Sequence, residues 1–372
     1  MSQSSYAVTV LHPGLEPAFS EFVEKVWPTS GGKSLRRPSD SGTAPVFLFL
    51  KDQEVVGHIG TLPVQIWTGS QVRDSHWVVG FMVLPEHRNS LVGPLLLKKA
   101  NEVLSLALTL HVEAHVLRIF LGLGWKHVGV IPQFVFPLNG YQLFAELKAI
   151  QLSDLATKGR VLADCIRFLG SLRMTRAIGG SLAWACVKLW GLFAQNATRH
   201  SGVVQEAVFD ESYDALWERV HKKFKAMVVR DRRYLDARFG SNIKDHTLLT
   251  FREKGQLLGY CIVKMKQFVN DPRMGNLRIA TILDCLFDPD DHVTLAKLVQ
   301  TTVAIAQEQG AHAVVCTASH SAVQACLRNN RFFALPGTLH LAYFDRASVI
   351  PADIPTHSWH MTRGDSDAAA NF

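Results

Sequence analysis

The chain has 372 residues, 48% of them hydrophobic, and a formal charge of +7; this is apolar material for two domains with real cores, and it excludes an intrinsically disordered protein. The basic excess is local: between residues 148 and 199 stand eight Lys or Arg against two acids, Asp154 and Asp164, on an apolar helix without the aromatic platforms of a binding sheet, so nucleic acid is not an expected partner. Six cysteines without a C-x-x-C pair, most of them inside apolar runs, give neither a disulfide framework nor a metal site and suit a reducing, cytoplasmic setting.

Residues 6–11 read as a first strand, and 16–26 as an amphipathic helix with Phe19, Phe22, Val23 and Val26 inward. Residues 28–45, rich in Gly, Ser and Pro and carrying Lys33, Arg36 and Arg37, read as a connection or a substrate-facing lid. Two strands, 46–50 and 55–67, predict a hairpin around 51–54. Residues 77–83 are too apolar for a surface strand and too short for a membrane span, so they read as a buried central strand stopped by Pro85. A polar turn, 86–90, leads into a helix with Pro94 at its first position and Leu96, Ala100, Leu104 and Ala107 on one face. A helix N-terminus after a tight turn collects unpaired backbone N–H groups and a positive dipole end, which suits a pyrophosphate, and Arg88 adds a cation at the rim. A short strand near 107–112, a helix near 115–123 and closing strands over 128–138 complete a first domain.

The order Val83, Pro85, Arg88, Gly93, Pro94 and then a helix resembles the acyl-coenzyme A loop of the GNAT superfamily of N-acyltransferases, in which a strand ending in V-x-P precedes R/Q-x-x-G-x-G/A and a helix. Leu91 stands where the first glycine of that loop is usual. Leu123, Gly124 and Trp125 resemble the family's later L-G-aromatic element, with Glu113 in place of an asparagine and Phe120 in place of a tyrosine that protonates the leaving thiolate in many members. The resemblance implies an α/β fold and acetyl-CoA, or another acyl-CoA, as co-substrate. The residues that would hold it are Met82, Val83, Leu84, Arg88, Asn89, Ser90, Leu91, Val92, Gly93 and Pro94. Members of the family often place a carboxylate or imidazole on the central strand to take the acceptor's ammonium proton; here Asp74 and His76 alternate onto one face, with Gly80 and Met82 after them. His76 is the candidate base and Asp74 its orienter; a solvated strand end is the alternative.

The second half repeats the first in outline: residues 248–260 echo 47–58, 277–287 the central strand, 294–309 the helix after it, 313–317 the next strand and 321–333 the helix that follows. After its central strand come Asp288, Asp290 and Asp291 in place of an Arg-containing turn, and these would repel a pyrophosphate. Asp284, inside an apolar run, reads either as a group facing an acceptor or as a structural hydrogen-bond partner; His58 and His320 are further candidates. The expected organisation is therefore tandem GNAT-like α/β domains: 1–145 binding acyl-CoA, a basic helical connector over 146–200, a second copy over 201–350 without the phosphate loop, and a flexible tail over 351–372. Trp184 and Trp190 in the connector, beside its positive charges, suit peripheral association with an anionic membrane or packing between domains. Three functions fit: N-acyl transfer from acyl-CoA to a small-molecule amine acceptor such as an amino sugar or cell-envelope precursor, a degenerate binding or membrane-surface scaffold, and aminoacyl transfer from charged tRNA. Residence in the cytoplasm, at the inner face of the membrane in the second case, is expected because MSQSSYAVTV lacks the basic start and apolar core of a signal peptide.

Overall fold

The computed structural model describes residues 5–26, 44–110, 112–146, 202–272 and 274–367, with Ser181 and Ala185 as isolated positions. Nearly all of the connector over 146–200, Trp184 and Trp190 included, and nearly all of the loop over 28–45 lie outside the described residues. Two compact units form: residues 1–130, 339–355 and 366–371 make the first, and 131–338 with 356–365 the second.

Unit 1 contains β1 (Tyr6–Val10), α1 (Glu16–Val26), β2 (Phe47–Lys51), β3 (Glu54–Trp67), β4 (Val72–Val83), α2 (Val92–Val103), β5 (Leu106–Thr109) and α3 (Ala114–Gly122). β1 to β4 are successively antiparallel, β5 is parallel to β4, and the end of β13 (Phe333–Asp345) pairs antiparallel with β5. The β2–β3 hairpin closes through Asp52 and Gln53, both at positive φ, the backbone that a tight hairpin turn demands. Phe22, Phe47, Val55, Leu96, Leu97 and Phe120 are among the side chains of its core.

Unit 2 repeats this pattern strand for strand. β7 (Val203–Glu206), β9 (His246–Glu253), β10 (Gln256–Gln267) and β11 (Arg278–Phe287) are successively antiparallel, β12 (Ala313–Thr317) is parallel to β11, and β6 (Lys126–Pro137) pairs antiparallel with β12. The helices among the described residues include α4 (Gly140–Ala145), α5 (Glu211–Val220), α6 (Arg232–Phe239), α7 (His292–Glu308) and α8 (Ser321–Asn329), with short strands β8 (Ala226–Val228) and β14 (Trp359–His360) paired in parallel. Both copies keep a glycine where the helix after the central strand packs on the sheet. A Cβ on Gly57 would stand 2.7 Å from a Val92 methyl, and one on Gly259 would stand 2.7 Å from a Thr294 methyl.

Several expectations are corrected. Residues 131–137 close the sheet of unit 2 rather than that of unit 1, whose sixth strand comes from 342–345; a hydrophobic pattern marks a strand without naming its neighbour. Pro94 is the third residue of α2, whose N-cap is Leu91, a position where its missing N–H is equally harmless. Leu104 ends that helix and Ala107 lies in β5. The described part of the expected flexible tail over 351–372, residues 351–367, is not frayed: Trp359, His360, Met361, Thr362, Arg363 and Asp365 are all buried.

Candidate active site

The central strand β4 departs from regular pairing in two ways. Its partner β3 joins His58 to Met82 and Gly60 to Val79, so Ile59 alone faces Gly80 and Phe81, and β4 bulges there. Gly80 has φ +58°, the left-handed region that glycine enters without a steric penalty. On its other side β4 pairs with β5 only at His76 and Trp77, so from Val78 to Val83 its edge has no β5 partner among the described residues. Such an edge offers backbone donors and acceptors to an extended ligand.

The strand runs through Leu84 and a short turn at Pro85–His87 into the N-terminus of α2. Ser90 Oγ accepts from the Val92 N–H at 3.3 Å and donates to the His87 carbonyl at 2.6 Å, which fixes the turn. The amides of Asn89, Leu91 and Gly93 have no backbone partner among the described residues. They sit at the positive end of a helix of 12 residues, a cradle for an anion. Arg88 is exposed and its Nε donates to the Val83 carbonyl at 3.2 Å, which draws the guanidinium back toward the end of β4. Leu91 takes φ −78° and ψ 0°, open to any residue. Replacing the usual glycine therefore leaves the loop unstrained and sets a side chain, 70% exposed, at the mouth of the cradle. Gly93 is buried, and a Cβ there would stand 3.2 Å from Phe81 Cζ. Any larger residue at 93 thus disturbs the packing as well as the cradle. Val92 packs inward, while Met82 and Val83 lie partly buried against the core.

His76 is half-buried in β4, and burial holds its imidazole below the ordinary value while Asp74 opposes that shift. Asp74 is exposed and accepts from Gln65 Nε2 at 2.9 Å on the neighbouring strand; no hydrogen bond joins it to His76 among the described contacts. The bulge adds a residue between His76 and Met82, so the alternation that would place both on one face is broken. His76 lies four residues before Gly80, roughly 13 Å along an extended strand, and proton transfer between the two places would have to pass through water. Phe120 is fully buried, with its ring 4.7 Å from that of Trp125 and 5.7 Å from that of Phe81. The departure from tyrosine thus belongs to the core.

Asp284 is not an acceptor-binding group. It accepts from Arg230 Nε at 2.9 Å, Tyr260 OH at 2.9 Å and Thr362 Oγ1 at 3.0 Å, all buried. It stands at the second copy's own bulge, where Ile262 pairs with Asp284 and Val263 with Ile282. β12 pairs with β11 only as far as Ile282, and beyond that point the chain's own C-terminal segment lies against β11. His360 Nε2 donates to the Cys285 carbonyl at 2.7 Å, Ser319 N donates to the Met361 carbonyl at 3.1 Å, and a Cβ on Gly364 would reach 2.7 Å from the Leu283 carbonyl. The helix end that follows is filled too. Asp291 caps α7 by accepting from Val293 N and Thr294 N, while Asp288 and Asp290 hold the Lys223 ammonium at 2.7 Å. The second copy therefore has neither an open edge nor an anion cradle. Burial pushes His320 down to about 4, and its Nδ1 caps α8; it is a neutral structural residue.

The sequence reading missed the bulge and the role of the C-terminal segment. Gly80 inside an apolar strand was a signal for the first, and Trp359 and Met361 in an otherwise polar tail for the second. Among the described residues, no three His, Cys, Asp or Glu side chains gather to hold a metal ion, and no helix is long and apolar enough to cross a membrane.

No protein-family model and no curated protein matches the chain. Solved structures do. A GCN5-related N-acetyltransferase from Anabaena variabilis superposes with a TM-score of 0.57 at 11% identity, over 91% of this chain and 72% of that one. N-myristoyltransferase from Saccharomyces cerevisiae, with bound myristoyl-CoA, gives 0.55 at 12% identity, over 91% and 82%. A probable N-acyltransferase from Enterococcus faecalis gives 0.54 at 9% identity, over 94% and 74%. The chain shares its fold with these N-acyltransferase structures.

Proposed function

We propose that this protein transfers an acyl group, acetyl first among candidates, from acyl-CoA to the amine of a small acceptor such as an amino sugar or cell-envelope precursor, in the cytoplasm or at the inner face of its membrane. The observation that carries this reading is the bulged edge of β4, without a β5 partner from Val78 to Val83 among the described residues, and the turn that carries it into the N-terminus of α2. An extended pantetheine would pair along that edge while its pyrophosphate meets the Asn89, Leu91 and Gly93 amides. Met82 to Leu84 would line its path, and Arg88, freed from the Val83 carbonyl, would reach a phosphate. The amine, its ammonium proton first passed through water to His76, would attack the thioester carbon as the bulge polarises the carbonyl oxygen; the C–S bond would break, and the thiolate would take up through water the proton that the acylated nitrogen releases, since Phe120 has none to give.

Calorimetric titration with acetyl-CoA and longer acyl-CoAs tests the reading. Leu91→Gly clears an exposed side chain from the cradle without altering an allowed backbone, and should tighten binding several-fold with the melting temperature unchanged. Absence of binding by any acyl-CoA would leave the scaffold reading. His76 acts as base only when neutral, and its pKa is lowered by burial, so kcat/KM should fall as pH drops below 6.5. His76→Ala should lose about 100-fold in rate together with that acid limb. A variant retaining both would remove His76 from the mechanism.

A further inference from the structure

His58 lies on β3 directly behind the bulge, 1% exposed, with its ring 5.1 Å from Phe19 and 6.2 Å from Phe22 on α1. Its Nδ1 stands 2.8 Å from the Gly80 carbonyl oxygen. A carbonyl only accepts, so Nδ1 carries the proton. Burial pushes the imidazole down to about 4, and the ring is neutral and unable to serve as a base for an acceptor in water. Something other than proton transfer must account for a histidine at this place, because an apolar residue would fill the same volume without a desolvated polar ring.

The bond has a geometric consequence. Gly80 is held at φ +58°, and in a trans peptide the C=O and the following N–H point in opposite directions. Gripping the Gly80 oxygen on the α1 side therefore turns the Phe81 N–H away from α1. Glycine at 80 gives the bulge freedom to rotate, and the imidazole N–H removes that freedom.

We propose that His58 is a positioning residue for acyl transfer: by holding the Gly80 carbonyl it sets the Gly80–Phe81 peptide so that the Phe81 N–H is aimed at the thioester oxygen. This rests on the acyl-transfer reading above. Donors aimed in advance at a developing oxyanion are worth factors of about 10² to 10³ in kcat, and the loss should appear in kcat rather than in coenzyme binding, which the cradle at α2 governs.

Two variants separate positioning from packing. Leucine at 58 fills the space without a donor, whereas the amide nitrogen of asparagine falls close to the place of Nδ1. His58→Leu should lower kcat at least 30-fold with the KM for acetyl-CoA within about threefold, and His58→Asn should recover most of the loss. In the coenzyme-free protein, deuterium exchange over residues 78–83 should quicken in His58→Leu and stay near wild type in His58→Asn. Equal damage in both variants, or wild-type kcat in a folded His58→Leu, would overturn the proposal. Failure of the wild-type protein to bind or turn over any acyl-CoA would overturn the acyl-transfer reading instead, while the exchange comparison would still decide whether His58 orients the bulge.

Discussion

Arg230→Met is expected to destabilise unit 2 by about 3–5 kcal/mol, the range for removing one partner from a buried ion cluster. Arg230 is 0% exposed; its Nε donates to Asp284, one terminal nitrogen reaches both oxygens of Asp365 at 2.8 Å, and the other reaches the Val228 carbonyl at 3.0 Å. Burial opposes its charge, but the two carboxylates outweigh burial and hold it well above its ordinary value. One guanidinium thus serves two acids. The excess negative charge is felt at Asp365, whose carboxyl burial pushes up to about 6, with Arg230 opposing and Asp284 adding to the rise. Two consequences separate this account from simple packing. Asp365→Asn, which removes the excess charge and keeps an acceptor for Thr362 N–H, should cost much less than Arg230→Met. Replacing Arg230, Asp284 and Asp365 together by apolar residues of similar volume should recover much of the loss. Urea unfolding followed by tryptophan fluorescence measures all three. A loss below about 1 kcal/mol for Arg230→Met would show that water enters the cluster.

That cluster ties residues 362–365 into the place where the first copy keeps an open strand edge. The same strand order and bulge occur twice: in unit 1 the splayed edge has no β5 partner and the amides of the helix end have no backbone partner among the described residues, while in unit 2 a peptide of the same chain lies along the edge and Asp291 fills the helix end. Capping by Asp291 offsets the dipole that would attract a phosphate, and Lys223 neutralises the carboxylates beside it.

Much of this architecture is legible in the amino-acid order. The hairpins, the central strands and the helices behind them follow from apolar periodicity, and the repeat from the echo of 47–58 in 248–260. The acidic loop after the second central strand already argues against a second coenzyme site. What periodicity does not encode is partnership. β6 looks like the closing strand of the domain it follows, yet residues 133–137 pair with β12 in the sheet of unit 2, because register and neighbour are decided by contacts far apart in the chain. Asp284 shows the same limit. An acid in an apolar run must be paired, but its partners Arg230 and Thr362 lie 54 and 78 residues away. His58 was visible as a histidine beside a glycine, and only the bulge opposite gives it a task.

Acid should weaken unit 1 through His58 as pH falls from 6.5 toward 4; in unit 2 His320 and His360 act in the same sense, while Asp365, raised to about 6 in the fold, takes up a proton there and opposes them. His58 in unit 1 and His320 in unit 2 are each pushed by burial down to about 4, and His360 is held well below its ordinary value by burial, with Arg230 and His320 adding. Each has a folded pKa below its unfolded value of 6.5, so at these rings the unfolded chain binds more protons between pH 6.5 and 4. The stability these rings contribute is therefore whole above pH 6.5 and is lost as pH falls toward 4. For His58 or His320 the 2.5-unit gap corresponds to about 3 kcal/mol at most, a large share of a domain's total of about 5–15 kcal/mol. The geometry adds to the penalty at His320, because its Nδ1 accepts from the Ala322 N–H at 3.3 Å and a protonated ring has no acceptor. His320→Asn keeps a side-chain acceptor at that N-cap and removes the titration. Urea midpoints measured from pH 7 to 4.5 should fall for unit 1, and for unit 2 by the loss at the two rings less the opposing proton uptake at Asp365. His320→Asn should reduce the slope for the unfolding of unit 2 by about one proton, about 1.4 kcal/mol per pH unit. An unchanged slope would mean that His320 is already charged or solvated in the folded protein, and that carboxylates or the other two rings carry the acid sensitivity.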